Sequence, residues 1–486
     1  MALVDAGALT GLIFDGAWIE PRAGGRIDVL EKATGGLLAS VGRAGRADAE
    51  QAVAGAALAQ RSWAAAPHTE RAAVLRRAAQ LLERHRTEVA EWIIRESGGV
   101  RGKAAFELDA AVDELWVAAA LPHQPHGQLL PAVPHRESIA RRVPLGVVAV
   151  ISPWNVPLLL ALRALAPALA LGNAVVLKPD PRTPVCGGLA IAKLFEAAGL
   201  PPGVLHVLPG DAEPGEALVG HERVAMVAFT GSTAVGRRIA ERAGRSLKRA
   251  SLELGGNNAF IVLEDADLDA AASAGAWGSF LHQGQICMAA GRHIVVAEVA
   301  EEYLDRLTRR AEKLTVGDPW TEQVDLGPIV DGTQLARVDG IVRGSIAAGA
   351  LVRTGAEHSG LFYRPTVLER VTPAMPAFTE EIFGPVAPVV VVADEDEAVR
   401  VANATDYGLV AAVQTASAER GLALADRLET GIVHINDQTV NDEAFVPFGG
   451  RGASGNGHRH GAHTSWEEFT EWQWLTVHRS PVRYPF

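Results

Sequence analysis

Thiols are scarce in this chain: Cys186 and Cys287 are the only two cysteines among 486 residues, and they lie far apart. A disulfide scaffold is excluded, and a reducing compartment, the cytoplasm, is the expected location. Basic runs are missing as well. No Lys/Arg block exceeds a pair, and 57 acidic residues outweigh 45 basic ones for a net charge of −12. Nucleic acid and anionic membranes call for a basic stripe, so neither is an expected partner. The opening Met-Ala-Leu-Val-Asp-Ala-Gly has no basic stretch leading into an apolar one, so a secretory signal is not expected. Val156–Leu177 is the most apolar segment, but Pro157, Arg163, Pro167 and Gly172-Asn173 interrupt it. It falls short of the ~20 apolar residues of a membrane span and reads as a buried helix feeding a buried strand. There is no internal repeat and no low-complexity tract.

What is present points to a large α/β protein. The length suggests two or three domains, and 48% apolar residues can bury a sizeable core. Fifty glycines imply many tight turns and close backbone approaches. From Ala47 to Glu96 apolar residues recur at helical spacing, with the Arg-rich stretch Arg71–Arg86 reading as a solvated face. Leu121–Arg136, with four prolines, is a crossover. Then the period changes. Leu145–Ile151, Ala174–Leu177, Val204–Leu208 and Val224–Phe229 are continuous apolar strand runs. Helical patterns follow them over Leu158–Leu171, Cys186–Ala198, Glu213–Val219 and Val235–Ala243. Such alternation predicts βαβ units and a parallel sheet covered on both faces, with ligands at the carboxyl ends of the strands.

A second α/β series begins near Ser251. Strands are expected at Ala259–Leu263, Ile294–Ala297, Val386–Val392 and Gly431–Ile435, and helices at Ala300–Leu314, Ile341–Ala348, Glu397–Ala404 and Glu419–Leu428. The tail Trp466–Val482, with alternating Trp472 and Trp474, reads as an edge strand that pairs with another subunit.

Several residues at these strand ends carry chemistry. Cys287 lies between a Gly/Gln turn and Met-Ala-Ala. A lone cysteine is usually a small buried hydrophobe, but at a loop-to-helix junction backbone amides can lower its pKa and make it nucleophilic. Glu253, between Leu252 and Leu254, is either a surface glutamate on an irregular strand or a buried carboxyl with a raised pKa, suited to general base work. The loop Thr230–Gly236 follows a buried strand and opens a helix, the setting of a pyrophosphate site, although Gly231 and Gly236 do not make GxGxxG. Asn155 offers an oxyanion donor or a plain turn residue, and Lys178 grips a hydroxyl or phosphate or is solvated. His458-Arg-His-Gly-Ala-His463 has HxH spacing, but no nearby acidic or Cys partner completes a metal set, so no metal is expected.

Six motifs occur in order: Ser152-Pro-Trp-Asn155, Phe229-Thr-Gly-Ser-Thr-Ala-Val-Gly236, Leu252-Glu-Leu-Gly-Gly-Asn-Asn258, Gly284-Gln-Ile-Cys287, Glu380-Glu-Ile-Phe-Gly-Pro385 and Pro447-Phe-Gly-Gly450. Together they resemble the aldehyde dehydrogenase superfamily over essentially the whole chain. The resemblance implies Cys287 as nucleophile, Glu253 as general base, and Asn155 with the Cys287 amide as oxyanion hole. It also implies a cofactor site for NAD or NADP that includes Ser152 and Trp154. There Lys178 holds the adenosine ribose, and Gly210, Gly231, Ser232 and Gly236 line the phosphates. Glu381 and Phe383 position the nicotinamide ribose and ring. The family plan implies a Rossmann-like cofactor domain (1–120 and 145–250), an α/β catalytic domain (251–450) and a β-flap (121–144 and 466–486) that makes a homodimer or homotetramer.

The implied reaction is NAD(P)-dependent oxidation of a small aldehyde to the acid through a Cys287 thiohemiacetal and thioester. Lys178–Pro184, Asn436–Asn441 and Gly455–Gly457 look most like the benzaldehyde dehydrogenases of the superfamily, with aliphatic aldehydes or semialdehydes as the alternative. A cofactor-free thiol hydrolase leaves Lys178 and the Gly231 loop unexplained, and a silent homologue leaves Cys287, Glu253 and Asn155 unexplained. Many NAD-preferring relatives carry a glutamate three residues after the lysine. Here Pro181 takes that place beside Arg182, so weak discrimination between NAD and NADP is expected.

Overall fold

The apolar runs assemble into two seven-stranded sheets in the computed structural model, which describes residues 3–22 and 24–486. In the first sheet the strands run Arg249–Glu253, Val224–Thr230, Val147–Ile151, Ala174–Lys178 and Leu205–Val207 from one edge, all parallel. The hairpin Ile13–Asp15/Trp18–Ile19 closes the other edge in antiparallel fashion. Every residue of Ala174–Lys178 is buried, as a strand covered on both faces requires. The whole of the helix Pro157–Ala170 is buried too, which explains its lack of a polar face. Strand order reverses between Val147–Ile151 and Val224–Thr230, and a crevice opens outside their carboxyl ends.

The helix expected over Cys186–Ala198 begins instead as a wide five-residue turn, Val185–Leu189, before Ala190–Ala197. Its amides at Val185 and Cys186 donate to the buried Glu96 carboxylate at 2.8 and 2.6 Å. A Cβ on Gly188 would come within 2.6 Å of Pro179, so this turn is pressed against the chain leaving Lys178.

The second sheet runs Leu351–Thr354, Thr366–Glu369, Val386–Val392, Arg292–Val296, Ala259–Val262, Val410–Gln414 and Ile432–Ile435. All pairings are parallel except that of Leu351–Thr354. Sequence patterning missed Val410–Gln414, because its two central alanines weaken the strand signal. It also started one helix late. Gly332–Ala347 is capped by Asp331, which accepts from the Gln334 amide at 2.8 Å.

A third sheet is antiparallel and small: Gly127–Leu129, Arg136–Pro144 and Thr470–His478. The tail is thus an edge strand, but it begins at Thr470 and its described partner is Arg136–Pro144 of the same chain. Trp466 belongs to the helix Ala462–Glu468, buried with its ring edge-on to His126 at 5.3 Å. Trp472 and Trp474 remain exposed, the former under the Arg142 guanidinium at 4.1 Å. Among the described residues no helix is long and apolar enough to cross a membrane.

Candidate active site

A cleft of about 950 Å³ occupies the crevice of the first sheet and is closed by residues of the second unit. Asn155, Glu253 and Cys287 line it, together with Ser152, Trp154, Lys178, Gly231, Ser232, Glu381 and Phe383. Gly210 and Gly236 do not. They stand behind the wall, where a Cβ would meet Pro214 at 2.6 Å and Leu254 at 2.4 Å. Their lack of a side chain serves close packing.

Cys287 follows the short turn Leu281–Gly284, and no helix starts there; the chain runs as a loop to the strand Arg292–Val296. No helix terminus therefore lowers its pKa, and the amide of Met288 pulls in that direction instead. Burial pushes the thiol up to about 12, with Glu381 and Glu253 adding to the effect and Arg163 opposing it. Cys287 still lines the cleft, and the residue is half-buried. Its carbonyl accepts from Asn258 Nδ2 at 2.8 Å, and a Cβ on Gly256 would lie 2.6 Å from the same oxygen. The Leu-Gly-Gly-Asn-Asn segment thus holds the nucleophile loop from below.

Glu253 ends its strand, and its carbonyl accepts from the Gly231 amide at 3.0 Å. Among the described residues neither carboxylate oxygen has a well-formed hydrogen bond, although the Gly450 amide is near enough to pull its pKa down. Burial drives its pKa well above the ordinary carboxyl value, with Arg163 and Arg459 pulling the other way. A loosely held carboxyl of raised pKa in the same cleft as a thiol is chemically poised to accept a proton. Asn155 is buried, and its Nδ2 donates to the Gln285 carbonyl at 2.9 Å, leaving one N–H for another acceptor.

The other end of the cleft suits a dinucleotide. Ser232 caps the helix Thr233–Arg245 by position but makes no side-chain cap bond, and the first turn holds no acid. The helix thus presents free amides and the positive end of its dipole. A Cβ on Gly231 would strike Phe229 at 2.5 Å, so only glycine fits at that wall. Lys178 is buried, its Nζ bonded to the Pro179 carbonyl at 3.0 Å, and burial lowers its pKa. Two donors on that ammonium remain for hydroxyls. Phe383 takes a left-handed backbone (φ 55°), with its ring edge-on to Trp154 at 5.5 Å. Glu381 Oε1 accepts from the Gly256 amide at 2.9 Å, and burial raises its carboxyl to about 7.

Arg182 is not free. Its Nε and Nη2 each donate to Asp180 at 2.8 Å, Nη1 lies 3.3 Å from Asp331, and the guanidinium sits over Trp154 at 4.9 Å. Asp180 lines the cleft where the sequence offered no glutamate.

Sequence reasoning missed four further residues. Arg163 pairs with Glu114 at 3.3 Å and with Asp442, and lies over the Phe448 ring at 4.5 Å. It had registered only as an interruption in an apolar run. A lone charge inside a wholly buried helix was the available signal. Gln334 holds the Phe383 carbonyl at 2.9 Å, and Arg337 the Glu381 carbonyl at 2.9 Å. Gln283 anchors the turn before Cys287. Those three have no signal short of the fold. The histidine cluster forms no group of metal-binding side chains among the described residues. An acid does lie beside it: His458 Nδ1 is 2.6 Å from Glu468, while His460 faces Ser251 at 3.2 Å.

Known proteins share this architecture. The chain is 55% identical to a vanillin dehydrogenase from Amycolatopsis sp., over 100% of both chains. It is 50% identical to the NAD(+) benzaldehyde dehydrogenase of Pseudomonas putida, over 98% of each. The crystal structure of an NAD-dependent benzaldehyde dehydrogenase from Corynebacterium glutamicum superposes with a TM-score of 0.89 at 39% identity, covering 99% of each chain. An E. coli NADP dependent enzyme superposes at 0.94 with 33% identity, covering 98% of this chain and 99% of the other. Residues 18–475 match the aldehyde dehydrogenase family, and with that span the chain belongs to this family of enzymes.

Proposed function

We propose that the protein oxidises an aromatic aldehyde of the benzaldehyde or vanillin type to its carboxylic acid, with NAD as hydride acceptor. The observation that carries this is the shared cleft: Cys287, Glu253 and Asn155 line it together with Lys178, Gly231 and Glu381. The relatives named for benzaldehyde and vanillin at 50–55% identity support the substrate class.

In this reading the Cys287 thiol gives up its proton to water in the open cleft and sulfur bonds to the aldehyde carbon, while the C=O π pair moves to oxygen. Asn155 Nδ2–H and the Cys287 amide receive that oxyanion. The bound nicotinamide supplies a two-electron hydride acceptor. As the C–H electron pair departs, the C=O reforms as a thioester on Cys287. Glu253 then takes a proton from water, the hydroxide adds to the thioester, and the C–S bond breaks to release the acid and restore the sulfur. The raised pKa and loosely held oxygens of Glu253 suit this proton transfer. Lys178 binds the adenosine ribose, the amides at Gly231 and Ser232 the phosphates, and Glu381 the nicotinamide ribose, with Ser152, Trp154 and Phe383 shaping the walls. Asp180 and the neutralised Arg182 favour NAD over NADP.

We also propose that 1–120 with 145–250 acts as the cofactor-binding unit and 251–450 as the catalytic one, in the cytoplasm. Segments 121–144 and 466–486 would join subunits into a homodimer or homotetramer; the exposed Trp472, Trp474 and Leu129 support that surface. The test is a kcat/KM comparison with benzaldehyde, vanillin and acetaldehyde under each cofactor. Acetaldehyde equalling or exceeding both aromatic substrates overturns the substrate class.

A further inference from the structure

Asn155 is held from two sides by groups that never reach the cleft. Its loop runs directly into the helix Pro157–Ala170, whose first amides lack partners within the helix. Those of Leu158 and Leu159 donate to Glu107 Oε1 at 2.7 and 3.4 Å. Glu107 is wholly buried on the helix Arg101–Ala120, and its second oxygen takes a 2.5 Å bond from Lys103 Nζ, also buried. A buried ion pair is a poor stabiliser, since desolvating both charges offsets their attraction. Its use here lies in where it fixes the next helix.

The second hold is on the acceptor of the Asn155 amide, the Gln285 carbonyl. That carbonyl follows a chain reversal in which His282 and Gln283 both take left-handed backbones, φ 51° and 56°. Such conformations are strained and persist only where neighbours enforce them. Gln283 Nε2 enforces this one, donating to the carbonyls of Gly98 at 3.0 Å and Pro328 at 2.8 Å. Gly98 ends the helix preceding Arg101–Ala120, and a Cβ on Gly99 would touch both Lys103 and His282, at 2.8 and 3.4 Å. One buried corner, Gly98 to Glu107, therefore sets both the Asn155 backbone and the partner of its side chain.

We propose that Glu107, with Gln283, is a positioning residue for the oxyanion site, acting through Asn155. This rests on the oxyanion reading of Asn155 given above. The experiment compares Lys103→Met/Glu107→Leu, which removes the acceptor without leaving an unpaired charge, with Lys103→Met/Glu107→Gln, which returns a neutral acceptor. Each is measured with and without Asn155→Ala, using benzaldehyde and NAD.

The leucine pair is expected to lower both the first-turnover burst rate and steady-state kcat about tenfold, because both steps pass through an oxyanion. KM for NAD stays unchanged, and the glutamine pair recovers kcat to within about threefold of the parent. With Asn155→Ala already present, the leucine pair costs less than about twofold. Gln283→Met, which cuts the loop anchor alone, shows the same loss of effect in that background and serves if the leucine pair does not fold. Equal losses with and without Asn155→Ala, or no recovery with glutamine, overturn the proposal. If Asn155→Ala by itself leaves burst and kcat intact, the oxyanion reading falls first, and the positioning role falls with it.

Discussion

Replacing Glu381 with Gln isolates the electrostatics of the nucleophile. In the free protein the Cys287 thiol stands near 12, so at pH 8 about one molecule in 10⁴ carries thiolate. Burial is the largest cause and Glu381 the next, ahead of Glu253. Glutamine keeps the oxygen that accepts from the Gly256 amide and removes only the charge. A like charge across the cleft, ~12 Å from the thiol, is worth about one pH unit, or 1.4 kcal/mol, at an effective dielectric near 20. Thiolate population then rises about tenfold. Intrinsic nucleophilicity falls as pKa falls, so alkylation should quicken about threefold to fourfold.

The pH profile carries a sharper signature. Glu381 titrates near 7, so below about pH 6 it is neutral in the parent and the substitution changes nothing. Above 7 it is charged, and the two profiles separate. Iodoacetamide inactivation from pH 5.5 to 9, without cofactor, measures this. Turnover with NAD should fall while thiol reactivity rises, since Glu381 is read as a ribose ligand. Parallel profiles, or a slower Glu381→Gln protein above pH 7, would refute the electrostatic account.

Three further outcomes are expected. Cys287→Ala abolishes both turnover and covalent trapping, whereas Glu253→Gln keeps a burst of reduced cofactor and loses steady-state rate, seen by stopped-flow absorbance. NADP supports turnover within about a hundredfold of NAD, ~2.7 kcal/mol, and Asp180→Ala narrows the gap roughly tenfold in kcat/KM by removing a carboxylate and loosening its hold on Arg182. Stability against pH follows from buried groups. His293 and His460 are held neutral by burial, down to about 3 and 4, so each contributes stability above 6.5 that is lost as pH falls. Glu96 and Glu114, raised to about 6 and 7 by burial, act oppositely between 4.5 and those values. Tm should therefore fall most steeply below pH 4.5, where the histidines act unopposed; a Tm flat from pH 4.5 to 3 contradicts this.

Buried parallel strands were legible because burial on both faces leaves continuous Val/Ile/Leu runs, as in Ala174–Lys178. Val410–Gln414 was not, since its alanines carry little strand preference and its place comes from pairing with strands on both sides. The cleft residues were legible through motif order, yet their electrostatic state was not. Whether Cys287 meets a helix end or two carboxylates depends on contacts with Glu253 and Glu381, both distant in sequence. The same holds for Arg182, whose proximity to NADP looked favourable until the turn placed Asp180 across both its donors.

The pairing of Arg136–Pro144 with Thr470–His478 joins segments 332 residues apart, as at Arg141 and Gln473. The parallel strands of the first sheet and the whole second sheet lie between them. This ribbon can close only after those strands have brought its two segments together, so it is a late event in folding. Until then Arg136–Pro144 lacks one of its two neighbours, and the half-made sheet is the segment of the nascent protein most open to capture by another strand. The Trp472 ring under Arg142 makes closure visible by fluorescence once a Trp472→Phe comparison separates its signal from that of the nine other tryptophans.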